Sequence, residues 1–467
     1  MLTLLLACTG PNDAPADVDK GDDTAPPEIV DNTLTVDGVH LELAAIETVV
    51  NVRWTTAAPS RARVTASFTD GTVVVEESAA DTAHAVLLVG LPPLTTVTVH
   101  VEALDGGGVD EATTTTGASP SWMPDLLWTA DAPDAAEPGF TVVPIFLSSA
   151  SGVAVLDRRG RAVWTWPTTE AELVPLLTRA RLSLDGEAIL FNNAASGVGS
   201  PGDITRVSLD GSTVETVGIT EGHIDFVEYT PGGYASLGWD LRVIDERKLV
   251  GDRLVERAPD GTEREVWNVW DHFAPDLSRT YDHYYAADPD VEDWTHINGV
   301  TYDPTEDVYY LTMSYQSTVL KIDRQTGEQL WALTDTGVGD FANPGEDEFL
   351  ELPHSVQPID GGVLVFNRSN FRQGTGCASA DEIALDEALG EASLQWHYAS
   401  ETCLLIPYLG SAQRLPAGNT LVSWTNAGQL DEVTPDGVLT WRVNTALGAG
   451  VGFVTRVPTL TPPSGTR

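Results

Sequence analysis

The sequence predicts an all-β protein, a six-bladed β-propeller preceded by a small β-sandwich. Three observations predict this fold class. Short runs of alternating apolar and polar residues fill the chain and are separated by turns rich in Gly and Asp. A turn-and-tryptophan element repeats through residues 119–467. Helical periodicity is nearly absent, and only residues 169–174 and 380–388 are weak helix candidates.

Length and composition limit the classes of protein that the chain can belong to. Its 467 residues exceed what one ordinary core absorbs, and 42% hydrophobic residues suffice for substantial cores. Asp and Glu number 69 against 25 Lys and Arg, for a net charge of −44. This charge argues against nucleic acid as a partner and against electrostatic docking on anionic lipid. An anionic substrate would need a few placed arginines or histidines.

Residues 1–32 are predicted to be a signal remnant followed by a flexible spacer. The string Leu4-Leu5-Leu6-Ala7-Cys8 resembles a bacterial lipobox, in which the Cys is lipidated, although the apolar stretch is short and lacks a basic leader. Residues 9–32 are rich in Asp, Pro, Ala and Thr, which is typical of a spacer. We therefore expect an exported lipoprotein, periplasmic or at the cell surface, attached to the membrane only through Cys8. The alternative is a disordered tail.

The two remaining cysteines are expected to pair if the protein is exported. Cys377 and Cys403 are 26 residues apart in a loop-rich region. Neither belongs to a Cys-x-x-Cys motif, so zinc or thioredoxin-like chemistry is not indicated. The alternative is two free thiols.

Residues 33–118 are predicted to form the β-sandwich. Alternating runs at 49–54 and 62–68 are separated by turn signals such as Asp70-Gly71. The segment Gly90-Leu-Pro-Pro-Leu-Thr-Thr-Val97 resembles the fibronectin type III pattern, with Val97 where that family usually has Tyr. Trp54 lies where such domains keep a core tryptophan. The resemblance implies a spacer or an interaction module.

Residues 119–467 are predicted to form the propeller. The repeated element is an apolar residue, an Asp-containing turn with Gly, and a strand that often ends in Trp. Six copies in 349 residues correspond to about 58 residues each, the size of a four-stranded blade. We expect the tryptophans to pack between blades rather than to bind ligands. The marking tryptophans are Trp164, Trp267, Trp331, Trp396 and Trp441.

Three histidines are candidates for the chemistry of the propeller. His223, His296 and His354 each open an apolar strand, which the repeat makes the innermost strand of its blade. We predict that they occupy equivalent blade positions and converge on the central axis. Such a cluster could bind a metal, bind an oxyanion, or supply an activated nucleophile. The alternative is three unrelated histidines satisfied by the backbone.

Several motifs resemble those of the bacterial arylsulfotransferases. The segment Asp293-Trp-Thr-His-Ile-Asn-Gly-Val is similar to the family motif Asp-Trp-x-His-x-Asn-Ser-Val. Residues 411–441 resemble the family's last complete blade, and residues 319–354 resemble an earlier one. The resemblance covers most of residues 119–467. It implies a six-bladed propeller with a small N-terminal β domain and a periplasmic location.

The resemblance also implies a reaction and roles for particular residues. The reaction is a ping-pong transfer of a sulfuryl group from a phenolic sulfate ester to a phenol, without a nucleotide sulfate donor, cofactor or metal. His354 matches the histidine that becomes sulfohistidine, and His296 matches a histidine that holds the sulfuryl oxygens and acts as acid or base. His223 and Asn367 match further positions that contact the sulfate.

Two departures from the family pattern bear on activity. The string His223-Ile224-Asp225 stands where the family has His-His-Asp. Ser314 stands where the family usually has an arginine that would clamp the sulfate. Arg368 or Arg372, close after the strand of His354, are expected to compensate. Two other functions remain open: a non-catalytic binding propeller tethered to the surface, and a metal- or quinone-dependent propeller enzyme. The acidic segment 288–293 could bind calcium but is expected to be a solvated loop.

Overall fold

The computed structural model describes residues 35–130, 132–146, 151–168, 177–195, 197–278, 280–282, 290–334, 339–342, 350–368, 376–445 and 449–460. Regular structure in these ranges is β-strand, apart from 3-10 helices at Pro133–Ala135, Val269–Asp271, Ser314–Gln316 and Thr425–Ala427. The all-β prediction is confirmed. None of the helices in these ranges has the length and apolar character needed to cross a membrane.

The N-terminal part forms two antiparallel sheets with one shared core. One sheet has the order β1-β2-β5 and the other β4-β3-β6-β7. Inward-facing residues alternate along the strands, and Trp54 is buried among them. The strands are β1 (Val36–Leu43), β2 (Val50–Ser60), β3 (Ala62–Phe68), β4 (Gly71–Glu76), β5 (Asp81–Leu88), β6 (Thr96–Ala103) and β7 (Val109–Thr115).

The rest of the described chain forms six successive sheets. The first contains β9–β11 with β34 and β35, the second β12–β15, the third β16–β21, the fourth β22–β25, the fifth β26–β29, and the sixth β30–β33 with β8. The strands are β8 (Leu126–Thr129), β9 (Phe140–Phe146), β10 (Ser151–Leu156), β11 (Ala162–Pro167), β12 (Ala180–Leu182), β13 (Ala188–Asn193), β14 (Gly202–Ser208), β15 (Val214–Ile219), β16 (Gly222–Thr230), β17 (Gly233–Ile244), β18 (Arg247–Arg257), β19 (Glu263–Asn268), β20 (Tyr281–Asp282), β21 (Val291–Asp293), β22 (Ile297–Asp303), β23 (Val308–Met313), β24 (Thr318–Asp323), β25 (Gln329–Thr334), β26 (Pro353–Ile359), β27 (Gly362–Asn367), β28 (Ser379–Asp386), β29 (Glu391–Ala399), β30 (Ser411–Arg414), β31 (Thr420–Trp424), β32 (Gln429–Val433), β33 (Leu439–Thr445), β34 (Gly450–Val451) and β35 (Thr455–Val457).

The repeated sequence element corresponds to the outer hairpin of each sheet. Its Asp-containing turn joins the last two antiparallel strands, as between β18 and β19, where Gly261 has a φ of +89° that favours glycine. The tryptophan that follows lies between neighbouring sheets. Trp164, Trp267, Trp331 and Trp441 are all buried there, in agreement with a packing role.

The innermost strands of the six sheets are linked to one another by hydrogen bonds and form a closed ring. We call β12, β16, β22, β26, β30 and the C-terminal segment 450–457 the inner strands. Each is linked to the next by hydrogen bonds, so the six sheets radiate from one axis as in a β-propeller. The links run from Thr178 Oγ1 to the Ile224 carbonyl, from Val300 N–H to Asp225, from Thr301 Oγ1 to the Val356 carbonyl, from Ala412 N–H to Ser355, from Val454 N–H to Ser411, and from Phe453 N–H to the Thr178 carbonyl.

Both ends of this region close the ring. The C-terminal strands β34 and β35 pair with β9 and supply the inner edge of the first sheet. The early strand β8 pairs with β33 on the outer edge of the sixth sheet. The chain therefore fastens the first sheet to the last at both edges, which opposes opening of the ring.

The N-terminal sandwich packs directly against the first two propeller sheets. Ile46, Val49 and Val89 share a core with Trp164 and residues of β9–β14. Thr48 Oγ1 donates a hydrogen bond of 2.7 Å to the Val163 carbonyl. The contact therefore has an apolar centre as well as polar links.

The helix candidates of the sequence analysis have different outcomes. Residues 380–388 are not helical: most of them belong to β28, because pairing with β27 and β29 overrides a weak local propensity. Residues 169–174 lie outside the described residues, as do residues 1–32 with Cys8.

Candidate active site

The three predicted histidines lie at the starts of three consecutive inner strands. His223 and His354 are the second residues of β16 and β26, and His296 immediately precedes β22. The prediction that they occupy equivalent positions is wrong. The pairing of each strand shifts near its start, and His354 lies one residue before the first pair that follows the shift, whereas His223 and His296 lie three residues before it. Those pairs are Phe226 with Ser236, Gly299 with Thr312, and Ser355 with Phe366.

His354 is buried and accepts a hydrogen bond from the backbone. Its exposed fraction is 1%, and its ring packs against Phe453 with centroids 5.3 Å apart. The Leu409 N–H donates to Nε2 at 3.1 Å. A neutral ring with Nε2 as acceptor carries its proton on Nδ1. That nitrogen is buried and has no hydrogen-bond partner within the described ranges.

The surroundings of His354 keep its ring neutral. Burial lowers the pKa of His354 well below its ordinary value, and the positive charge of Arg368, together with His296 and Arg179, lowers it further. A neutral imidazole retains a lone pair at physiological pH, as a nucleophile requires. Contacts agree with this: Arg368 binds the segment that donates to His354, and Arg179 packs on the Phe453 ring that contacts His354.

His296 forms a carboxylate–imidazole pair with Asp293. Nδ1 of His296 lies 2.7 Å from Asp293 Oδ2, and the His296 N–H donates to Asp293 Oδ1 at 2.9 Å. The backbone of His296 has φ +49°, and its ring stacks on Tyr315 with centroids 4.6 Å apart. Asp293 is buried. A carboxylate on Nδ1 orients the ring and leaves Nε2 for an acid–base role.

His223 is buried and its ring contacts two side chains. Its ring stacks on Trp239 with centroids 4.6 Å apart, and its Nε2 lies 2.9 Å from Asp252 Oδ1. The other oxygen of Asp252 accepts hydrogen bonds from Thr295 Oγ1 and from the Ile297 N–H, at 2.5 and 2.7 Å. Burial alone would raise the pKa of Asp252, but its bond to His223 and these further bonds hold it below the ordinary value. Asp252 thus joins His223 to the turn that carries His296.

The predicted sulfate-contacting residues at the end of β27 and just after it have separate surroundings. The Asn367 side chain accepts from the Glu351 N–H at 3.0 Å and donates to Asp381 at 2.6 Å, so its amide ties the entry of β26 to β28. Arg368 is mostly buried, and its Nη1 donates to the Pro407 carbonyl at 2.9 Å. Arg372 lies outside the described residues.

Sequence reasoning missed a second arginine near His354. Arg179 is buried just before β12 and makes a bidentate pair with Asp225, with contacts of 2.7 and 2.8 Å. Its guanidinium lies 4.2 Å from the centre of the Phe453 ring, the ring that packs on His354. The available signal was an arginine at the start of an inner strand, the position that also holds the histidines.

Two polar side chains near the histidines have unused hydrogen-bonding capacity. Asn298 is fully buried; its Oδ1 accepts from Thr312, and its Nδ2 has no partner within the described ranges. Ser314 is equally buried, and its Oγ also lacks such a partner. Buried polar atoms are normally satisfied, so these atoms suit a ligand. Asn298 belongs to the sequence motif at residues 293–300, which predicts no role for it.

The predicted cysteine pair forms a disulfide beside this site. Cys377 and Cys403 are bonded, with Cα atoms 4.8 Å apart. The segment that follows Cys403 contains the Pro407 carbonyl that accepts from Arg368 and the Leu409 N–H that donates to His354. The disulfide therefore anchors a segment that touches both groups.

The acidic segment considered for calcium has other partners where it is described. Glu292 pairs with Arg247, Asp293 holds His296, and residues 288 and 289 lie outside the described ranges. Within the described ranges, no group of three or more His, Cys, Asp or Glu side chains is placed to hold a metal ion.

A comparison against protein families identifies the family of the propeller region. The arylsulfotransferase (ASST) family model matches residues 132–430, more than half of the chain. The chain belongs to this family. A search of curated proteins finds no match.

Solved structures show only distant similarity. A Bacteroides caccae protein of unknown function is 11% identical, with 69% of this chain and 100% of that chain covered and a TM-score of 0.40. A streptogramin B lyase is 12% identical, with coverages of 73% and 100% and a TM-score of 0.38. The β-propeller domain of Cps50 (Swd1) from Myceliophteria thermophila is 11% identical, with coverages of 65% and 88% and a TM-score of 0.38.

Proposed function

We propose that this protein transfers a sulfuryl group from a phenolic sulfate ester to a phenol through a sulfohistidine on His354. The observation that carries the proposal is the buried His354, whose Nε2 accepts the Leu409 N–H in the same segment whose Pro407 carbonyl binds Arg368. Membership of the arylsulfotransferase family supports small aromatic molecules as substrates. The aryl ester itself carries the activated sulfuryl group, so the reaction needs no nucleotide sulfate donor.

In the first half-reaction a lone pair of His354 attacks the sulfur of the donor. A nitrogen–sulfur bond forms, the bond between sulfur and the aryl oxygen breaks, and the aryl oxygen takes its electron pair. Protonated His296 gives a proton from Nε2 to the leaving phenolate, while Asp293 stabilises the imidazolium. The lone pair of resting His354 is on Nε2, so the hydrogen bond from Leu409 must give way to the bond with sulfur.

In the second half-reaction the acceptor phenol reverses these steps. Neutral His296 takes the phenolic proton, the phenolic oxygen attacks sulfur, and the nitrogen–sulfur bond breaks with its electron pair returning to His354. The donor and acceptor thus use the same two histidines in turn, which is the basis of a ping-pong mechanism.

The negative charge on the sulfuryl oxygens requires donors that are already in place. Arg368 supplies a guanidinium near His354, and Asn298 Nδ2 and Ser314 Oγ are unused polar atoms close by. Donors fixed in a site with little water stabilise a developing charge strongly. His223 would position His296, because Asp252 joins His223 to the turn that carries His296. Asn367 would position His354, because its amide holds the segment that leads into β26.

The second candidate function is a binding propeller without catalysis. The observation that favours it is Ser314, which replaces the expected arginine at a position without solvent exposure. In that case the basic groups near the axis would bind an anionic ligand without transferring a group.

An exported, lipid-anchored protein is the setting that we propose. The disulfide between Cys377 and Cys403 favours an oxidising compartment. The large negative charge suits a solvated outer surface. Labelling with a radioactive fatty acid in a bacterial host, compared between the wild type and Cys8→Ala, would test the anchor.

The function is tested by donor turnover. Purified protein is incubated with p-nitrophenyl sulfate and phenol, with and without a chelator, and p-nitrophenol release is measured. Release that His354→Ala abolishes and that the chelator does not affect supports the proposal. The control is His40→Ala, at an exposed histidine on β1 in the N-terminal sandwich. No release with any of a panel of aryl sulfates would favour the binding propeller, and loss only on chelation would favour a metal enzyme.

A further inference from the structure

Two arginines at the start of β12 share a single carboxylate. Arg179 binds Asp225 through two short contacts of 2.7 and 2.8 Å, whereas the nearest contact of Arg181 with the same carboxylate is 3.7 Å. Asp225 also accepts the Val300 N–H at 3.0 Å, so its oxygens are already well occupied. The close ion pair is therefore Arg179 with Asp225, and Arg181 is only loosely paired.

This arrangement leaves one positive charge uncompensated. The group contains two guanidinium ions and one carboxylate. Burial lowers the pKa of Arg181 to about 10, with a further contribution from Arg179, so Arg181 is still charged at neutral pH. Its Nε is buried and has no hydrogen-bond partner in the described part of the chain. A charge of this kind is costly unless a counter-ion reaches it.

A small anion can reach Arg181 from solvent. Its side chain is 21% exposed although it lies on an inner strand, so solvent approaches it. Arg179, two residues earlier, packs on the Phe453 ring that contacts His354. Both guanidinium groups reach Asp225 Oδ1, Arg179 at 2.7 Å and Arg181 at 3.7 Å, so the two cations lie side by side.

We propose that Arg181 binds a carboxylate on the aromatic substrate, so that the preferred acceptors are phenols that carry a carboxylate. This inference rests on the proposed function and names its substrate class. The planar guanidinium fork matches a carboxylate in geometry as well as in charge. Two negative groups on one substrate would explain a second cation near the axis.

The test compares two phenols that differ in charge and hardly in shape: para-hydroxybenzoate and its neutral methyl ester. Their binding is measured by titration calorimetry, and their rates as acceptors from p-nitrophenyl sulfate are measured separately. The variants are Arg181→Met, which removes the charge, and Arg181→Lys, which keeps it. The control is Arg206→Met, because Arg206 on β14 is also 21% exposed and also paired with one aspartate, Asp185.

The quantity compared is the preference of each variant for the acid over the ester. We expect the wild type and Arg206→Met to bind the acid about tenfold more tightly than the methyl ester, because a hydrogen bond to a charged group contributes a binding free energy of that size. Arg181→Met should lower the ratio to about one, and Arg181→Lys should keep part of it. A wild-type ratio near one, or a ratio unchanged in Arg181→Met, would overturn the inference even if sulfuryl transfer is observed. Preferential binding without any transfer would instead uphold the inference and reject the proposed function.

Discussion

Ser314 and Arg368 occupy equivalent positions in two neighbouring sheets of the propeller. Each follows the last residue of the second strand, Met313 in one sheet and Asn367 in the next. Each donates its backbone N–H to the carbonyl of the residue that immediately precedes the inner strand. Ser314 donates to His296 at 3.2 Å, and Arg368 donates to Leu352 at 3.5 Å. The arginine expected at Ser314 therefore has a counterpart one sheet further round the ring, beside His354.

Replacing Arg368 should remove most of the transferase activity. Arg368→Met takes away the guanidinium near His354, and loss of one donor to a developing oxyanion typically costs about a hundredfold or more. Steady-state kcat/KM for p-nitrophenyl sulfate is the measurement. Arg368→Lys should retain part of the rate, and Arg206→Met should match the wild type. A change of less than threefold in Arg368→Met would show that another group holds the sulfuryl oxygens.

The hydroxyl of Ser314 should contribute nothing to the stability of the unliganded protein. Ser314→Ala removes a buried hydroxyl without a described partner and should leave the free energy of unfolding equal or slightly higher. Ser355→Ala is the matched comparison, because Ser355 Oγ accepts the Ala412 N–H at 3.2 Å. Its loss should cost about 1–3 kcal/mol. Urea denaturation followed by tryptophan fluorescence measures both, and equal destabilisation would contradict the assignment.

The fold was predictable because its signals are local. A hairpin turn needs Gly or Asp where the chain reverses, and a tryptophan that packs between sheets follows the turn within a few residues at most of the hairpins. Gly261 and Trp267 are one example. The helix candidate at 380–388 failed because partner strands, which are distant in sequence, decide the state of a short segment.

The site was predictable only in part because its decisive contacts are long-range. The histidines could be placed at the starts of inner strands, but the irregular pairing that shifts His354 against His223 and His296 has no local signature. The pair of Arg179 with Asp225 joins residues 46 positions apart. The donor to His354 is a backbone N–H at Leu409, and a backbone group carries no mark in the sequence.

The pair of His397 with Asp381 should make stability depend on pH. The hydrogen bond with Asp381, at 2.6 Å, raises the pKa of His397 above its ordinary value of 6.5, although burial opposes it. A raised pKa contributes stability that is fully present below pH 6.5 and is lost as the pH rises through the folded value. His397→Gln should therefore lower the melting temperature at pH 5.5 more than at pH 9.

The size of this effect is limited by exposure. The His397 side chain is 56% exposed, so the contribution should stay below about 1 kcal/mol. His40→Gln, at an exposed histidine on β1, is the control and should show no such difference between the two pH values. A larger loss at pH 9 than at pH 5.5 would reverse the sign and reject the pairing.

The disulfide should contribute to the stability of the folded protein. Cys377 and Cys403 close a loop of 26 residues, and the loss of chain entropy in the unfolded state corresponds to about 3 kcal/mol. The double variant Cys377→Ser/Cys403→Ser should unfold at a correspondingly lower urea concentration. Dithiothreitol should destabilise the wild type and leave the double variant unchanged. Equal midpoints for the two proteins without reductant would mean that the bond does not form in solution.

Asp293→Asn should slow transfer most for donors with poor leaving groups. Asp293 holds Nδ1 of His296 at 2.7 Å, and an amide stabilises the protonated ring less than a carboxylate does. The phenolate that leaves phenyl sulfate is a strong base and requires the proton from His296. The p-nitrophenolate is a weaker base and can leave without it more easily. We expect a loss of about a hundredfold in kcat for phenyl sulfate and a smaller loss for p-nitrophenyl sulfate. Asp185→Asn, which breaks a partly exposed ion pair with Arg206, is the control. Equal losses for both donors would assign Asp293 to folding of the turn and not to proton transfer.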